Sequence, residues 1–305
     1  MSLYEIFGSF ETGFIFGIVA LGAYLTFKIL DFPDLTVEGS FPLGAAVAAT
    51  LIVGAGLNPW VATLAGGLAG FCAGFVTAWL NVRFRILHIL AGILVAISLY
   101  SLNLRIMGGP NKPLLNVETV FTAFEGFGVK SYIINPIVLG VFALAVKLAL
   151  DLLLATGFGM AMRAAGANPA MAEANGVNVG RMKLIGVGIA NFLTAIAGAL
   201  FAQIFGAADA YMGIGVIIVG LASVIVGMSV LPSRTIMLAT AACIGGAILY
   251  RLAVAAALNA DFIGLQASDV QLVTAVLVAV ALIVQQSGGR VLRAAKRGGR
   301  GNDPA

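Results

Sequence analysis

A chain of 305 residues with 61% hydrophobic and only 10% charged side chains cannot cover a water-facing surface, because soluble domains carry about 25% charged residues. A mean hydropathy of +1.06 makes the bilayer its solvent and excludes a soluble enzyme. The net charge of +4 says little by its size and more by where it sits.

A spanning helix takes roughly 20 apolar residues, so about eight to ten spans fit. They are expected to pack as a single all-α bundle over 1–305, with no separate soluble domain. The hydropathy pattern predicts about nine of them, over 10–30, 42–57, 59–80, 86–106, 134–156, 183–205, 213–230, 235–257 and 268–286.

The first span has no Lys or Arg before Lys28 and carries Glu5 and Glu11 early. A cleavable signal starts with positive charge, so this stretch reads as a retained span. The connector Asp31-Phe32-Pro33-Asp34-Leu35-Thr36-Val37-Glu38-Gly39-Ser40 follows, with three carboxylates, two hydroxyls and helix breaks at Pro33 and Gly39. Irregular backbone at membrane depth survives only where it is buried in protein or lines a wet cavity. Two readings stand: Asp34, Thr36, Glu38 and Ser40 line a solute path, or they belong to an ordinary cytoplasmic connector whose Asp and Ser cap helices.

The second span is short, and Pro42, Gly44, Gly54 and Gly56 make it a candidate for a broken or tilted helix. In the third, Trp60 and Trp79 lie about 28 Å apart along the axis, matching two interfacial aromatic belts. Ala62, Gly66, Gly70, Gly74 and Ala78 lay a small-residue stripe along the same helix. Such a stripe serves close packing within the bundle, or a pore or dimer seam; packing is the expectation. The fourth span begins at the single histidine, His88, beside Arg83 and Arg85, and ends near Asn103 and Arg105. If Asn103 and Arg105 line the path with Asp34 and Glu38, the ligand is polar or zwitterionic.

The loop over 107–133 holds Gly108-Gly109-Pro110-Asn111-Lys112-Pro113 and an amphipathic run through Phe121, Phe124 and Phe127. It suits docking of an external protein, or capping of the bundle. In the fifth span Lys147 and Asp151 stand four residues apart, share a helix face and can pair. Charge at such depth is costly, so the pair is either self-neutralised or part of a relay. A polar, Gly-punctuated, basic loop over 157–182 comes next, of a kind that usually meets another protein. The eighth span repeats small-residue spacing in Ala241/Gly245 and Ala242/Gly246. A basic tail, 287–305, closes the chain with Arg290, Arg293, Lys296, Arg297 and Arg300. Directly after an apolar span, such a tail is a cytoplasmic anchor rather than a nucleic-acid arm.

Arg83, Arg85, Arg163, Arg181, Lys183, Arg234 and the tail all fall at one side, with Lys28 at the same end of the first span. Only Arg105, Lys112, Lys130 and Arg251 fall at the other. The positive-inside bias predicts an outside N-terminus and a cytoplasmic C-terminus. Cys72 and Cys243, both in apolar segments, read as small buried packing residues. No phosphate-binding glycine loop, metal-ligand cluster or catalytic nucleophile stands out, so no catalytic residue, metal site or cofactor is expected.

Three stretches carry a family resemblance. The first is Leu21-Gly22-Ala23-Tyr24-Leu25-Thr26 with the Asp34 to Ser40 turn and Leu43-Gly44-Ala45. The second is Arg163-Ala164-Ala165-Gly166-Ala167-Asn168-Pro169-Ala170-Met171-Ala172, closing at Asn175-Gly176-Val177-Asn178-Val179. The third is Asn191-Phe192-Leu193-Thr194-Ala195-Ile196-Ala197-Gly198-Ala199-Leu200. Over 10–285 the chain resembles the permease subunits of ABC importers of the branched-chain amino acid and ribose class. The Asp34 turn and Ser101-Leu102-Asn103-Leu104-Arg105-Ile106-Met107-Gly108 most resemble a branch of tryptophan/tyrosine-type and uncharacterised-solute permeases. Some sugar-permease relatives begin with an extra cytoplasmic helix, which this chain is expected to lack.

The resemblance implies a multi-pass protein of the bacterial inner membrane with a second permease copy, two cytoplasmic ABC ATPases and an extracytoplasmic solute-binding protein. It also implies a coupling helix that sits in a groove of the ATPase, a role it assigns to Arg163, Ala165, Gly166, Ala167, Asn168, Pro169, Ala170, Glu173 and Gly176. The expected function is import of a small organic solute by alternating access, first an amino acid, with a sugar or nucleoside as the alternative. The rival from another class is an ion- or proton-coupled carrier using Lys147 and Asp151; inverted repeats would support it, and none is evident.

Overall fold

The computed structural model describes residues 3–125, 130–231 and 235–258, with positions 276 and 279. In chain order the elements are α1 (Leu3–Ala23), a π-helical turn (Tyr24–Ile29), α2 (Val37–Ala55), α3 (Pro59–Phe84), α4 (His88–Met107), β1 (Asn111–Pro113) and α5 (Thr122–Glu125). Then come α6 (Ser131–Ala155), α7 (Gly157–Ala167), α8 (Pro169–Ala174), α9 (Val179–Phe205), β2 (Ala207–Asp209), α10 (Val216–Val230) and α11 (Ile236–Leu258). The fold is all-α but for a short antiparallel ladder that pairs Asn111 with Asp209 and Pro113 with Ala207.

Among the described residues seven helices are long and apolar enough to cross a membrane, and the 15-residue α10 is a shorter apolar helix. These occupy the first eight segments expected from hydropathy. The ninth, over 268–286, and the basic tail lie outside the described residues except for positions 276 and 279. Local signals set several ends. Asn58 accepts the Trp60 N–H and Pro59 takes the first position of α3, where a missing N–H costs nothing. Gly56 ends α2 in the left-handed region.

Helix α9 is the centre of the bundle, packed against α3, α2 and α1, while α11 packs against α1 and α10. Lipid offers no hydrophobic force between helices, so close backbone approach does the holding. The α2–α9 crossing is reciprocal. A Cβ on Gly44 would collide with the Ala195 carbonyl, and one on Gly198 with the Phe41 carbonyl. The stripe on α3 serves the same purpose: Gly66 lies on Gly44, Gly70 on Asn191 and Ala195, and Gly74 on Val187 and Asn191. Gly227 of α10 and Gly246 of α11 repeat the device, against Ala242 and Ser223.

One packing expectation is corrected. Cys243 is buried, but Cys72 is exposed. Cys72 stands two positions from both Gly70 and Gly74, about 200° around the helix from the stripe they form. It therefore faces out, into an apolar groove shared with Leu43, Leu94 and Leu99. Trp60 and Trp79 are exposed on the same helix. The 107–133 loop folds back onto the bundle: Leu114 donates to the Gly206 carbonyl, Val120 donates to the Gln203 side chain, and Gln203 donates to Thr63. Phe127 lies outside the described residues.

Candidate functional site

The first break in the bundle lies between α1 and α2. The π-helical turn closes with the Leu30 N–H on the Leu25 carbonyl at 3.0 Å, and Asp31 adopts φ 50°. The chain then turns into α2, and two polar clusters form around its first turn.

The first cluster is closed. The Asp34 carboxylate accepts from the Thr36 N–H at 2.9 Å and from the Asn191 side-chain amide at 2.6 Å. The Asn191 carbonyl oxygen accepts from the Ser40 hydroxyl at 2.7 Å, and its amide nitrogen also donates to the Val187 carbonyl. The Thr36 and Thr77 hydroxyls meet at 2.7 Å, and Thr77 donates to the Ala73 carbonyl. All five of these side chains are 0% exposed. Burial pushes the Asp34 carboxyl above the ordinary carboxylate range, and hydrogen bonds from Thr36 and Asn191 recover part of the shift. The cluster ties the irregular connector to α3 and α9.

The second cluster is open. Glu38, two residues before Ser40, lines a cavity of about 250 Å³ with Gly39, Pro42, Ala96, Ile97, Tyr100, Asn103, Ala210, Tyr211 and Ile214. One Glu38 carboxylate oxygen accepts from the Gly215 N–H at 3.2 Å, which caps the start of α10. That contact needs close approach. Pro42 lacks the N–H that would bond the Glu38 carbonyl, and Gly213 fits against that carbonyl and the Pro42 ring, where any Cβ would collide. Helix α2 itself runs unbroken through Pro42, so the irregularity expected inside it stands just before it. Across the cavity the Tyr100 hydroxyl donates to the Tyr211 hydroxyl at 2.7 Å. Asn103 is 0% exposed; its amide reaches the Gly39 carbonyl at 3.4 Å, and its Oδ1 has no partner. Arg105 is exposed and is not among the lining residues. The β1–β2 ladder fixes the wall carrying Tyr211, whose N–H donates to Asp209 at 2.7 Å.

At the end of the bundle that carries Arg163, Arg181 and Lys183, α7 and α8 form a two-helix knob between α6 and α9. Thr156 caps α7, Asn168 caps α8 by accepting the Met171 N–H at 3.0 Å, and Asn178 caps α9. Ala165, Ala172 and Val179 form a small buried cluster under the knob. Gly166 lies against the Ile29 carbonyl and Leu30, so the knob rests on the π-helical turn. Ala165 therefore points inward and Arg163 is half-buried, while Ala167, Asn168, Pro169, Ala170, Met171, Glu173 and Gly176 form the exposed crest. Lys147 and Asp151 pair at 2.7 Å, and the second Asp151 oxygen accepts from Thr240 at 2.6 Å. Both acid oxygens are thus engaged, and the pair joins α6 to α11.

Comparison with known proteins gives this architecture a family. Residues 6–285 match the branched-chain amino acid transport system permease component family. The chain belongs to that family. It is an ABC transporter permease subunit and a multi-pass plasma-membrane protein. It is 40% identical, over 87% of this chain and 85% of the relative, to a tyrosine transport system permease protein of Clostridioides difficile. It is 33% identical, over 69% of this chain and 72% of the relative, to the uncharacterised protein RP368 of Rickettsia prowazekii. Its fold is similar to a chain in a structure of PsaBC from Streptococcus pneumoniae in complex with Fab, with a TM-score of 0.51 and 12% identity over 90% of this chain and 89% of that one.

Sequence reasoning gave no site role to Asn191, Thr77, Tyr100, Tyr211 or Met171. An asparagine in mid-span is a signal by itself, since an unpaired amide is costly in lipid. No local pattern announces that Tyr100 and Tyr211 meet.

Proposed function

We propose that this permease subunit imports an amino acid, with an aromatic one as first choice, by alternating access driven by separate ATPases. The single observation that carries the solute class is the 40% identity to a tyrosine transport system permease protein over most of both chains. In this reading the transport unit is a homodimer, an extracytoplasmic binding protein delivers the solute, and two ABC ATPases take the crest of α7 and α8. Nine crossings place the N-terminus outside and the basic tail in the cytoplasm. Residues 157–182 are the coupling loop, with Arg163, Ala165 and Gly166 seating it and Ala167, Asn168, Pro169, Ala170, Glu173 and Gly176 presented to the ATPase. Glu38 and Asn103 meet the solute, Asp34, Thr36 and Ser40 hold the backbone behind them, and Arg105 lies at the rim.

The physical logic is transmission through contact. Gly166 touches Ile29 and Leu30, so movement of the knob is passed to the π-helical turn. The turn leads in seven residues from Leu30 to the start of α2 at Val37, and so to Glu38. Solute contributes only its differential affinity for the two states. Gentle purification of the tagged chain, with Met171→Cys as a crosslinking handle in a Cys72→Ala background, tests this. Crosslinks to an ABC ATPase are expected, with a tyrosine-loaded binding protein in the same preparation. Crosslinks only to extracytoplasmic proteins would reverse the orientation and remove the proposal.

A further inference from the structure

We infer that the Glu38–Asn103 cavity is an ammonium subsite, selecting solutes that carry a primary amine and rejecting those that do not. This deepens the amino-acid import reading and rests on it for the identity of the solute. The lining contains one carboxylate and no lysine, arginine or histidine. Its charge is therefore uncompensated by any lining side chain, and a cation is the complementary guest. Gly215 occupies one Glu38 oxygen and leaves the other for a ligand. The Asn103 Oδ1 is buried without a partner, while its amide is already turned to the Gly39 carbonyl. A second acceptor thus stands unpaired in the same wall, and a buried acceptor without a donor is an unmet demand that a guest can satisfy.

An ammonium has three donors and no acceptor. The carboxylate and the amide oxygen take two of them, and the rings of Tyr100 and Tyr211 add electron-rich faces suited to a cation or an aromatic side chain. A sugar or nucleoside lacks the positive charge and leaves the Glu38 carboxylate without a counter-charge. The volume of about 250 Å³ lies just below the range of drug-sized pockets and suits one small solute. A single unmatched carboxylate with one amide gives weak, reversible binding, as a path that must release its cargo requires.

The test uses the full-length permease with its ATPases in nanodiscs, without the binding protein. Three probes are compared by equilibrium binding: L-tyrosine, tyramine (amine, no carboxylate) and 4-hydroxyphenylpropionate (carboxylate, no amine). L-tyrosine and tyramine are expected to bind and compete, and 4-hydroxyphenylpropionate to compete with neither. Glu38→Gln keeps an acceptor for Gly215 but removes the charge, and should weaken tyramine binding at least about tenfold. Asn103→Ala should weaken it by a smaller factor, about threefold or more. Unfolding temperatures of both variants check that the fold is kept. The subsite is overturned if 4-hydroxyphenylpropionate binds as well as tyramine, if wild type does not bind tyramine, or if Glu38→Gln binds it unchanged. Tyramine binding with no L-tyrosine uptake by the complete assembly supports the subsite and removes the import reading. Normal uptake by Glu38→Gln does the reverse.

Discussion

Asp34 and Glu38 are two acids four residues apart, and the bundle treats them in opposite ways. Asp34, Thr36, Ser40, Thr77 and Asn191 are all 0% exposed, and their side chains hydrogen-bond one another in a closed set. Around Glu38 a cavity remains, and Asn103 keeps an oxygen without a partner. Matched polar groups inside a membrane act as structural ties, because breaking one strands its partner in a low-dielectric interior. Unmatched ones hold the protein at a cost that function must explain. Identical chemistry in one short stretch of sequence therefore divides into a structural tie and a candidate solute contact, and the difference lies in the neighbours.

The largest expected effect comes from breaking the closed cluster. Asn191→Leu leaves one Asp34 carboxylate oxygen and the Ser40 hydroxyl without their partners, and should cost roughly 3–5 kcal/mol in thermal unfolding of the detergent-solubilised protein. A change under about 0.5 kcal/mol would show that the cluster is not a tie. Next, Glu38→Gln should cut L-tyrosine uptake by the assembled complex at least about tenfold, while the unfolding midpoint moves by less than about 2 °C. Equal losses of stability in Glu38→Gln and Asn191→Leu would erase the distinction between the two acids. Thr77→Val removes the hydroxyl that meets Thr36 and bonds the Ala73 carbonyl, and should cost about 1–2 kcal/mol, with uptake per folded molecule unchanged.

The smallest effect is a pH slope. Asp34 has its folded value raised by burial above the ordinary carboxylate value of about 3.9. The native state then holds more protons than the unfolded chain between those two values, so stability is highest below the unfolded value and falls as pH rises through the folded one. Unfolding midpoints measured across acid pH should show this decline in wild type and lose it in Asp34→Asn. A wild-type profile that rises over the same window would contradict the assignment.

Much of the bundle was legible because lipid leaves a chain few choices. The apolar segments marked the helices, and the four-residue spacing from Ala62 to Ala78 marked a close-packed face. The four-residue offset of Lys147 and Asp151 announced their pairing. The π-helical turn was not legible, since Tyr24–Ile29 is largely apolar like its neighbours and carries no local signal for the Leu30 N–H to reach the Leu25 carbonyl. Pro42 suggested a break in α2, yet the helix continues and Gly213 packs on the notch it leaves. Of the site, the sequence offered Glu38 and Asn103 as polar residues in apolar surroundings. It could not show that Ala207–Asp209 pairs with Asn111–Pro113 and thereby brings Tyr211 onto Tyr100. That contact joins residues more than a hundred positions apart, and no local period encodes it.

The most direct measurement is L-tyrosine uptake into proteoliposomes holding this permease with the proposed ATPases and binding protein, with ATP or a proton gradient supplied separately. Accumulation is predicted with ATP on the side of the α7–α8 crest, and none with the gradient alone. Gradient-driven accumulation by the permease without any ATPase present would contradict the account.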